Sequence, residues 1–414
     1  MNFRRSGFLL LMFLLILSSC VNPNKRLAQE ALETLSIHPI KVGELRDNIK
    51  SIKYIQLETS EECMIGEVSE VKVQDDYLII LDVLKKVYLF EKSTGRFIRQ
   101  IGSIGQGAGE YVSVNTISLS PDKDGIYIFD NARGYLCFYS WSEECISQKN
   151  LSNSLLYQEV GRLTVLPEQN IVVNTVMMPV RMSGNSVLED YNQFHIDLGV
   201  DSIVKMDIPI SVYRDEKYFS SYMVNPNSLY EDQFSVLKLA CDTIFIYDYA
   251  ESKQIVPRYK TQLPDSYKYP TPDLLIGKEQ LPESTLILLN GSGYFSTFTH
   301  MYENANMIYL RCANLMEGHA LVNKNTGQGM LIPRIWNGDI SIDASCERVL
   351  RGEGIFEIKG AYGAEFISVL DTDYMSCIQS ACKEKRDIEL PSDLKMVLEN
   401  STEESNPCIV IYEV

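Results

Sequence analysis

An internal repeat restricts the fold of this 414-residue chain more than any other feature. Tyr77-Leu78-Ile79-Ile80-Leu81-Asp82 is followed, eight residues after its aspartate, by Phe90 at the end of Val87-Tyr88-Leu89-Phe90. Ile126-Tyr127-Ile128-Phe129-Asp130 is followed at the same spacing by Phe138 within Tyr135-Leu136-Cys137-Phe138-Tyr139. Both landmarks, the aspartate and the phenylalanine, recur 48 residues further on. Each unit reads as a strand, a turn, a strand ending in Asp, a turn, and a strand carrying an aromatic. A period of this size marks a supersecondary unit that cannot bury its apolar face alone and must stack on its neighbours. Its length and strand count match one four-stranded blade of a β-propeller.

Weaker copies follow. Leu163–Leu166 with Ile171–Asn174 opens a third unit, and Asp242–Asp248 with Ile255–Thr261 a fourth. Met307–Leu310 with His319–Asn323 makes a fifth, and Phe356–Lys359, Glu365–Leu370 and Pro407–Val414 a sixth. From Tyr54 onward, short runs rich in Val, Ile, Tyr and Phe alternate with Asp, Gly, Asn and Ser clusters, the texture of an all-β chain. The expectation is therefore an all-β, six-bladed β-propeller of four-stranded antiparallel blades over residues 45–414. A propeller must also pair its ends, because an open ring exposes sheet edges. Ile52–Glu58 and Cys408–Val414 are the expected partners, and consecutive Ile409, Val410, Ile411 and Tyr412 suit a strand buried on both faces.

The N-terminus carries an address. Arg4 and Arg5 precede an apolar run from Phe8 to Leu17, too short to span a bilayer but suited to a secretory signal. Leu17-Ser18-Ser19-Cys20 resembles the lipobox of bacterial lipoproteins, in which cleavage precedes a cysteine that is then acylated. Residues 1–19 are thus expected to be a lipoprotein signal peptide, Cys20 the lipidation site, and residues 20–44 a lipidated tether with a short helix over Asn24–Ser36 carrying Leu27, Ala31, Leu32 and Leu35. Several acyl chains exceed the single chain that gives only marginal membrane binding. Val21, in place of an inner-membrane-retaining Asp, favours the outer membrane, and the absence of an acidic run after Cys20 favours its periplasmic side.

Composition excludes some partners. With 38 Lys and Arg against 55 Asp and Glu, the formal charge is −17, and no basic cluster beyond the first residues could neutralise a phosphate backbone, so no nucleic acid is expected. Nine cysteines follow Cys20, at 63, 137, 145, 241, 312, 346, 377, 382 and 408. An odd number leaves at least one unpaired, no Cys-x-x-Cys occurs, and buried free thiols are favoured over a Cys377–Cys382 bridge across a turn. His38, His195, His300 and His319 form no i,i+4 pair and no His-Glu-x-x-His, and no Gly-x-Ser-x-Gly elbow appears. No catalytic residue, metal ligand or cofactor site is therefore assigned.

Four stretches carry a resemblance. Ile55-Gln56-Leu57-Glu58-Thr59 with Ile65-Gly66-Glu67-Val68, the glycine-rich Ile101–Tyr111, Asp242-Thr243-Ile244 with Ile255–Tyr259, and Asn406–Tyr412 together resemble the six-bladed β-propeller lipoproteins of Bacteroidota, relatives of NHL-repeat and TolB-like propellers. The resemblance implies a fold and an envelope compartment, and no settled activity. In it, Gly102, Gly105, Gly107, Gly109, Glu110 and Tyr111 form an inter-blade loop, with Ala108 where Pro is more usual. A phosphate cradle would need a helix N-terminus behind these glycines, whereas Ser113–Ser120 alternates like a strand, so the loop is read as structural.

The function expected is that of a non-catalytic, lipid-anchored binding or scaffold module, a single-copy ring presenting one face to a protein, peptide or glycan. The alternative is a metal-dependent lactonase- or lyase-like propeller enzyme, with carboxylates and an Asn holding a divalent cation in the central channel.

Overall fold

A computed structural model describes residues 32–41, 44–142, 145–151, 160–167, 170–175, 191–199, 202–209, 229–230, 233–237, 242–248, 254–264, 298–312, 318–332, 355–384 and 390–414. Cys20 and the signal segment lie outside the described residues.

The strands repeat as the 48-residue period requires. β3 (Val68–Gln74), β4 (Tyr77–Asp82), β5 (Val87–Glu91) and β6 (Phe97–Gln100) form one antiparallel sheet in sequence order. β7 (Val114–Leu119), β8 (Gly125–Asp130), β9 (Tyr135–Ser140) and β10 (Cys145–Asn150) form the next. β11 (Val160–Leu166), β12 (Asn170–Thr175), β13 (Tyr191–Asp197) and β14 (Ser202–Pro209) form a third. The repeated aspartates, Asp82 and Asp130, are fully buried at the ends of β4 and β8. Asp130 accepts from the amides of Val112, Ser113 and Ala132 and from Arg133 Nε at 2.6 Å, and Asp82 from the amides of Gly66 and Lys86. Each thus satisfies loop amides that a buried crossing would otherwise leave unpaired, which costs about 1–3 kcal/mol per group.

A fourth four-stranded sheet joins the two ends of the chain. It orders β2 (Ser51–Gln56), β25 (Cys408–Glu413), β24 (Glu365–Leu370) and β23 (Ile358–Tyr362). β2 pairs antiparallel with β25 from Ser51↔Glu413 to Gln56↔Cys408, the terminal pairing expected from the sequence.

The remaining sheet overturns the expectation of a six-bladed propeller. β15 (Leu229–Tyr230), β16 (Gln233–Val236), β17 (Thr243–Asp248) and β18 (Gln254–Gln262) lie on one side of β1 (Glu33–Pro39). β19 (Phe298–Glu303), β20 (Met307–Cys312), β21 (His319–Asn323) and β22 (Gln328–Ile332) lie on the other. β1 runs parallel to both β18 and β22, fusing these groups into one nine-stranded mixed sheet. The described strands therefore make five sheets instead of six separate antiparallel blades, and no closed six-blade ring is present among the described residues. The cause is the segment read as the end of a short helix. Leu35 and Ile37 are both buried, a period of two, and the open edges of β18 and β22 offer it backbone partners.

Helices also interrupt the β texture. A short α1 (Glu44–Asn48) precedes β2, and α2 (Thr372–Glu384) and α3 (Ser392–Asn400) fall between β24 and β25. Leu394, Val397 and Leu398 are buried at helical spacing against a core that includes Tyr54, Met375, Ile378 and Tyr412. Asp393 accepts from the Tyr54 amide at 3.0 Å, so α3 covers the edge of β2 that would otherwise be open to another chain. No disulfide joins any two of the seven described cysteines, Cys377 and Cys382 included.

Candidate functional site

The first strands of the sheets come together. β3 lies against β7 and β23, β7 against β11, and β19 against β23. In five of these units the first strand carries a β-bulge where it pairs with the second. The register slips between Val68 and Glu70, Val114 and Thr116, Val160 and Arg162, Phe298 and His300, and Ile358 and Gly360. A bulge adds one residue and re-aims the side chains beside it. Glu70, Thr116, Arg162 and His300, the residues just after four of these bulges, all line one inner cavity of about 60 Å³. The first three are spaced 46 residues apart, twice.

This cavity is charged. Glu70 meets Lys72 at 2.9 Å and Arg162 at 2.7 Å, and accepts from the Ile117 amide at 3.4 Å. Glu357 meets Arg311 at 2.9 Å and Lys359 at 3.2 Å. Burial by itself would raise both carboxyls, but the cations more than offset it and hold each below the usual range. His300 is pushed down to about 3, by burial first and then by the Arg311 guanidinium, so its ring is neutral at physiological pH.

Beside the cavity lies a larger groove of about 770 Å³, and Glu357 and Lys359 line both. Its walls come mainly from the strand ends of two neighbouring sheets, residues 64–68 and Leu84 on one side and Val369, 371–374, 403–405 and Pro407 on the other, and His319 of the nine-stranded sheet also lines it. Asn406 ties these walls together. Its Oδ1 accepts from the Ile65 amide at 2.8 Å, its Nδ2 donates to the Glu58 carbonyl at 2.6 Å, and its amide donates to Thr59 Oγ1 at 2.8 Å. Tyr88 Oη donates to the Met64 carbonyl at 2.7 Å, and Asp371 accepts from the Tyr374 amide at 3.0 Å, capping α2. The groove is therefore built on fixed backbone.

The groove is both acidic and apolar. Glu67, Asp371, Asp373, Glu403 and Glu404 are exposed along it, and among the described residues Lys359 is the one Lys or Arg in its wall. Asp371 still reaches solvent, yet partial burial and the neighbouring Asp373 and Glu67 push its carboxyl up. Met64 and Leu84, 52% and 58% exposed, stand on the rim, although side chains of this kind are usually covered.

The glycine loop lies elsewhere, between β6 and β7. Gly102 has φ +64°, and a Cβ there would meet Tyr111 Cε1 at 2.8 Å and the Tyr139 hydroxyl at 2.9 Å. The Glu110 carboxylate folds back over Gly105 and Gly107, accepting from the Gly107 amide at 2.6 Å. Tyr139 Oη donates to the Gly109 carbonyl at 2.9 Å, and fully buried Tyr111 donates to the Ile101 carbonyl. Their polar groups are turned onto the loop itself. His195 is buried with its ring 4.6 Å from that of Tyr247, and His319 lies 2.5 Å from Tyr309 Oη.

Neither the cavity nor the groove was legible from motifs. One signal was present in the sequence: an apolar residue, any residue, a polar residue and an apolar residue recur as Val68-x-Glu70-Val71, Val114-x-Thr116-Ile117, Val160-x-Arg162-Leu163 and Phe298-x-His300-Met301. The divalent-cation alternative does not fit these residues. Both carboxylates in the cavity are each paired with two cationic groups, and among the described residues no three of His, Cys, Asp and Glu gather.

The fold and site define an all-β protein of four four-stranded antiparallel sheets and one mixed sheet, whose bulged first strands converge on a polar cavity. The chain belongs to the family described as a domain of unknown function, DUF4934, whose model matches residues 30–413. No curated protein matches its sequence. Among solved structures, it is similar to a Bacteroides fragilis protein described as exported, at 18% identity and a TM-score of 0.69, over 93% of this chain and 99% of that one. A DUF4221 family member from Bacteroides vulgatus follows, at 14% identity and 0.47 over 69% and 86% of the two chains. A β-propeller domain from Myceliophteria thermophila gives 10% and 0.35 over 71% of each. The first likeness shows a shared fold over nearly the whole chain; the other two superpose too loosely to bear on it.

Proposed function

We propose that this protein is an exported, lipid-anchored envelope module that binds a basic, partly apolar polypeptide segment in the groove beside α2, without catalysing a reaction. The observation that carries this reading is the groove itself: about 770 Å³, walled by fixed backbone, with five exposed carboxylates and two exposed apolar side chains at its rim. That volume lies within the range of specific binding sites, roughly 300–1,000 Å³. Opposite charge across an interface speeds encounter and selects partners, while apolar side chains supply the burial. A glycan would find few aromatic faces here, since among the described residues Tyr374 and the buried Phe356 are the only Phe, Tyr or Trp side chains in the wall.

The envelope address rests on the Leu17–Cys20 lipobox, and the exported relative in Bacteroides fragilis supports it. Acylation at Cys20 would hold the protein to the outer membrane, on its periplasmic side. No helix among the described residues is long and apolar enough to cross a membrane. The lactonase-like alternative has no observation in its favour.

The test is fluorescence anisotropy with a labelled decapeptide alternating Lys and Leu, and with its Glu–Leu counterpart. The Lys peptide should bind saturably and the Glu peptide should not. Glu403→Lys with Glu404→Lys, both on exposed positions, should weaken binding at least ten-fold. Equal binding of the two peptides, or no loss in the double variant, would refute the groove as the site.

A further inference from the structure

The inner cavity holds more positive charge than its carboxylates balance. Lys72, Arg162, Arg311 and Lys359 face Glu70 and Glu357, two cations to each carboxylate, and His300 adds no negative charge. This surplus stands at the centre of a chain whose overall charge is −17. Collecting like charges in a confined space is unfavourable unless an anion compensates them. The arginines meet their glutamates through Nη1, and a guanidinium carries five N–H donors, so each retains further donors.

A second observation points the same way. Thr116 is 1% exposed and lines the cavity, and its hydroxyl has no hydrogen-bond partner among the described residues. Buried hydroxyls are otherwise paired, because leaving one unmade costs about 1–3 kcal/mol. Its position is set by the bulge between Val114 and Thr116, the same device that brings Glu70 and Arg162 to the cavity from neighbouring sheets.

We infer that the inner cavity is a binding site for one small oxyanion, a phosphate or carboxylate group, that accepts from the Thr116 hydroxyl and is balanced by Lys72, Arg162, Arg311 and Lys359. The volume sets the size of the guest. About 60 Å³ exceeds what one water needs, about 10–15 Å³ by the same kind of measure, and is far too small for a nucleotide or a sugar chain. Charge sets its sign, since a divalent cation would be repelled by four fixed positive groups. Glu357 and Lys359 are shared with the groove wall, whereas Thr116, Lys72, Arg162 and Arg311 belong to the cavity alone, so Thr116→Val tests this site apart from what the groove binds.

Isothermal titration of the full chain with inorganic phosphate, and separately with acetate, tests this, with ionic strength held constant by sodium chloride. Saturable one-to-one binding of at least one probe is expected, tighter for phosphate if the natural guest is a phosphate and tighter for acetate if it is a carboxylate. Thr116→Val keeps the shape and removes the donor, and should weaken binding at least five-fold; Thr116→Ser should stay within about two-fold of the parent. Lys359→Gln, at a side chain 34% exposed, removes one cation without emptying the core and should weaken binding at least three-fold. Absence of saturable binding by both probes, or full affinity in both Thr116→Val and Lys359→Gln, would overturn the inference.

Discussion

Removing the last strand should unfold this protein. β25 is an inner strand, paired from Ser51↔Glu413 to Gln56↔Cys408 on one side and from Glu365↔Glu413 to Leu370↔Cys408 on the other. Ile409, Val410, Ile411 and Tyr412 are 0%, 0%, 3% and 2% exposed, and they feed two cores, one beneath α2 and α3 and one shared with the β3–β6 sheet. At about 1.5–3 kcal/mol for each large buried apolar side chain, these four contribute roughly 6–12 kcal/mol as an upper bound. Whole domains are stable by only about 5–15 kcal/mol. Deleting 408–414 also strips β2 and β24 of their shared partner and exposes two new sheet edges. The deleted chain should lack a cooperative thermal transition by circular dichroism or precipitate on purification. Ile409→Ala, which leaves the strand in place, should fold and lose about 2–5 kcal/mol in urea denaturation. A deleted chain that melts cooperatively within a few degrees of the intact one would refute the reasoning, because β25 would then be dispensable to the sheet that joins the chain ends.

Three further outcomes are expected. Gly102→Ala forces a Cβ onto Tyr111 and Tyr139 at a positive φ, and should cost about 1–3 kcal/mol in urea denaturation, whereas Gly363→Ala, with φ +61° and no atom within 4 Å of a Cβ, should cost less. His300 is about 3 in the fold against an ordinary 6.5, so between these values the unfolded chain binds more protons and stability falls as pH falls. The slope is at most about 1.4 kcal/mol per pH unit, and His300→Asn should flatten the limb of melting temperature against pH between 6.5 and 4; an unchanged limb would exclude His300 as its source. Cys20→Ala should move the protein expressed in its native envelope from the detergent to the aqueous phase on partitioning, and retention in detergent would rule out acylation at Cys20.

The strand pattern was legible because it is local. Asp82 and Asp130 at the ends of β4 and β8, and the apolar run of β25, announce paired and buried strands through continuous apolar runs and turn chemistry that depend only on near neighbours. The sheet count was not. Leu35 and Ile37 take strand geometry because β18 and β22, more than 200 residues away in sequence, present open edges on either side of them, and no local propensity encodes that. The helices α2 and α3 escaped for a related reason: Leu394, Val397 and Leu398 gain their burial from Tyr54, which the sequence places some 340 residues earlier. The site belongs wholly to tertiary structure. Glu70, Thr116, Arg162 and His300 are ordinary polar residues within otherwise apolar strands, and they become one cavity only because five bulged first strands converge. Sequence carries which residues alternate; the packing of sheets decides which of them meet.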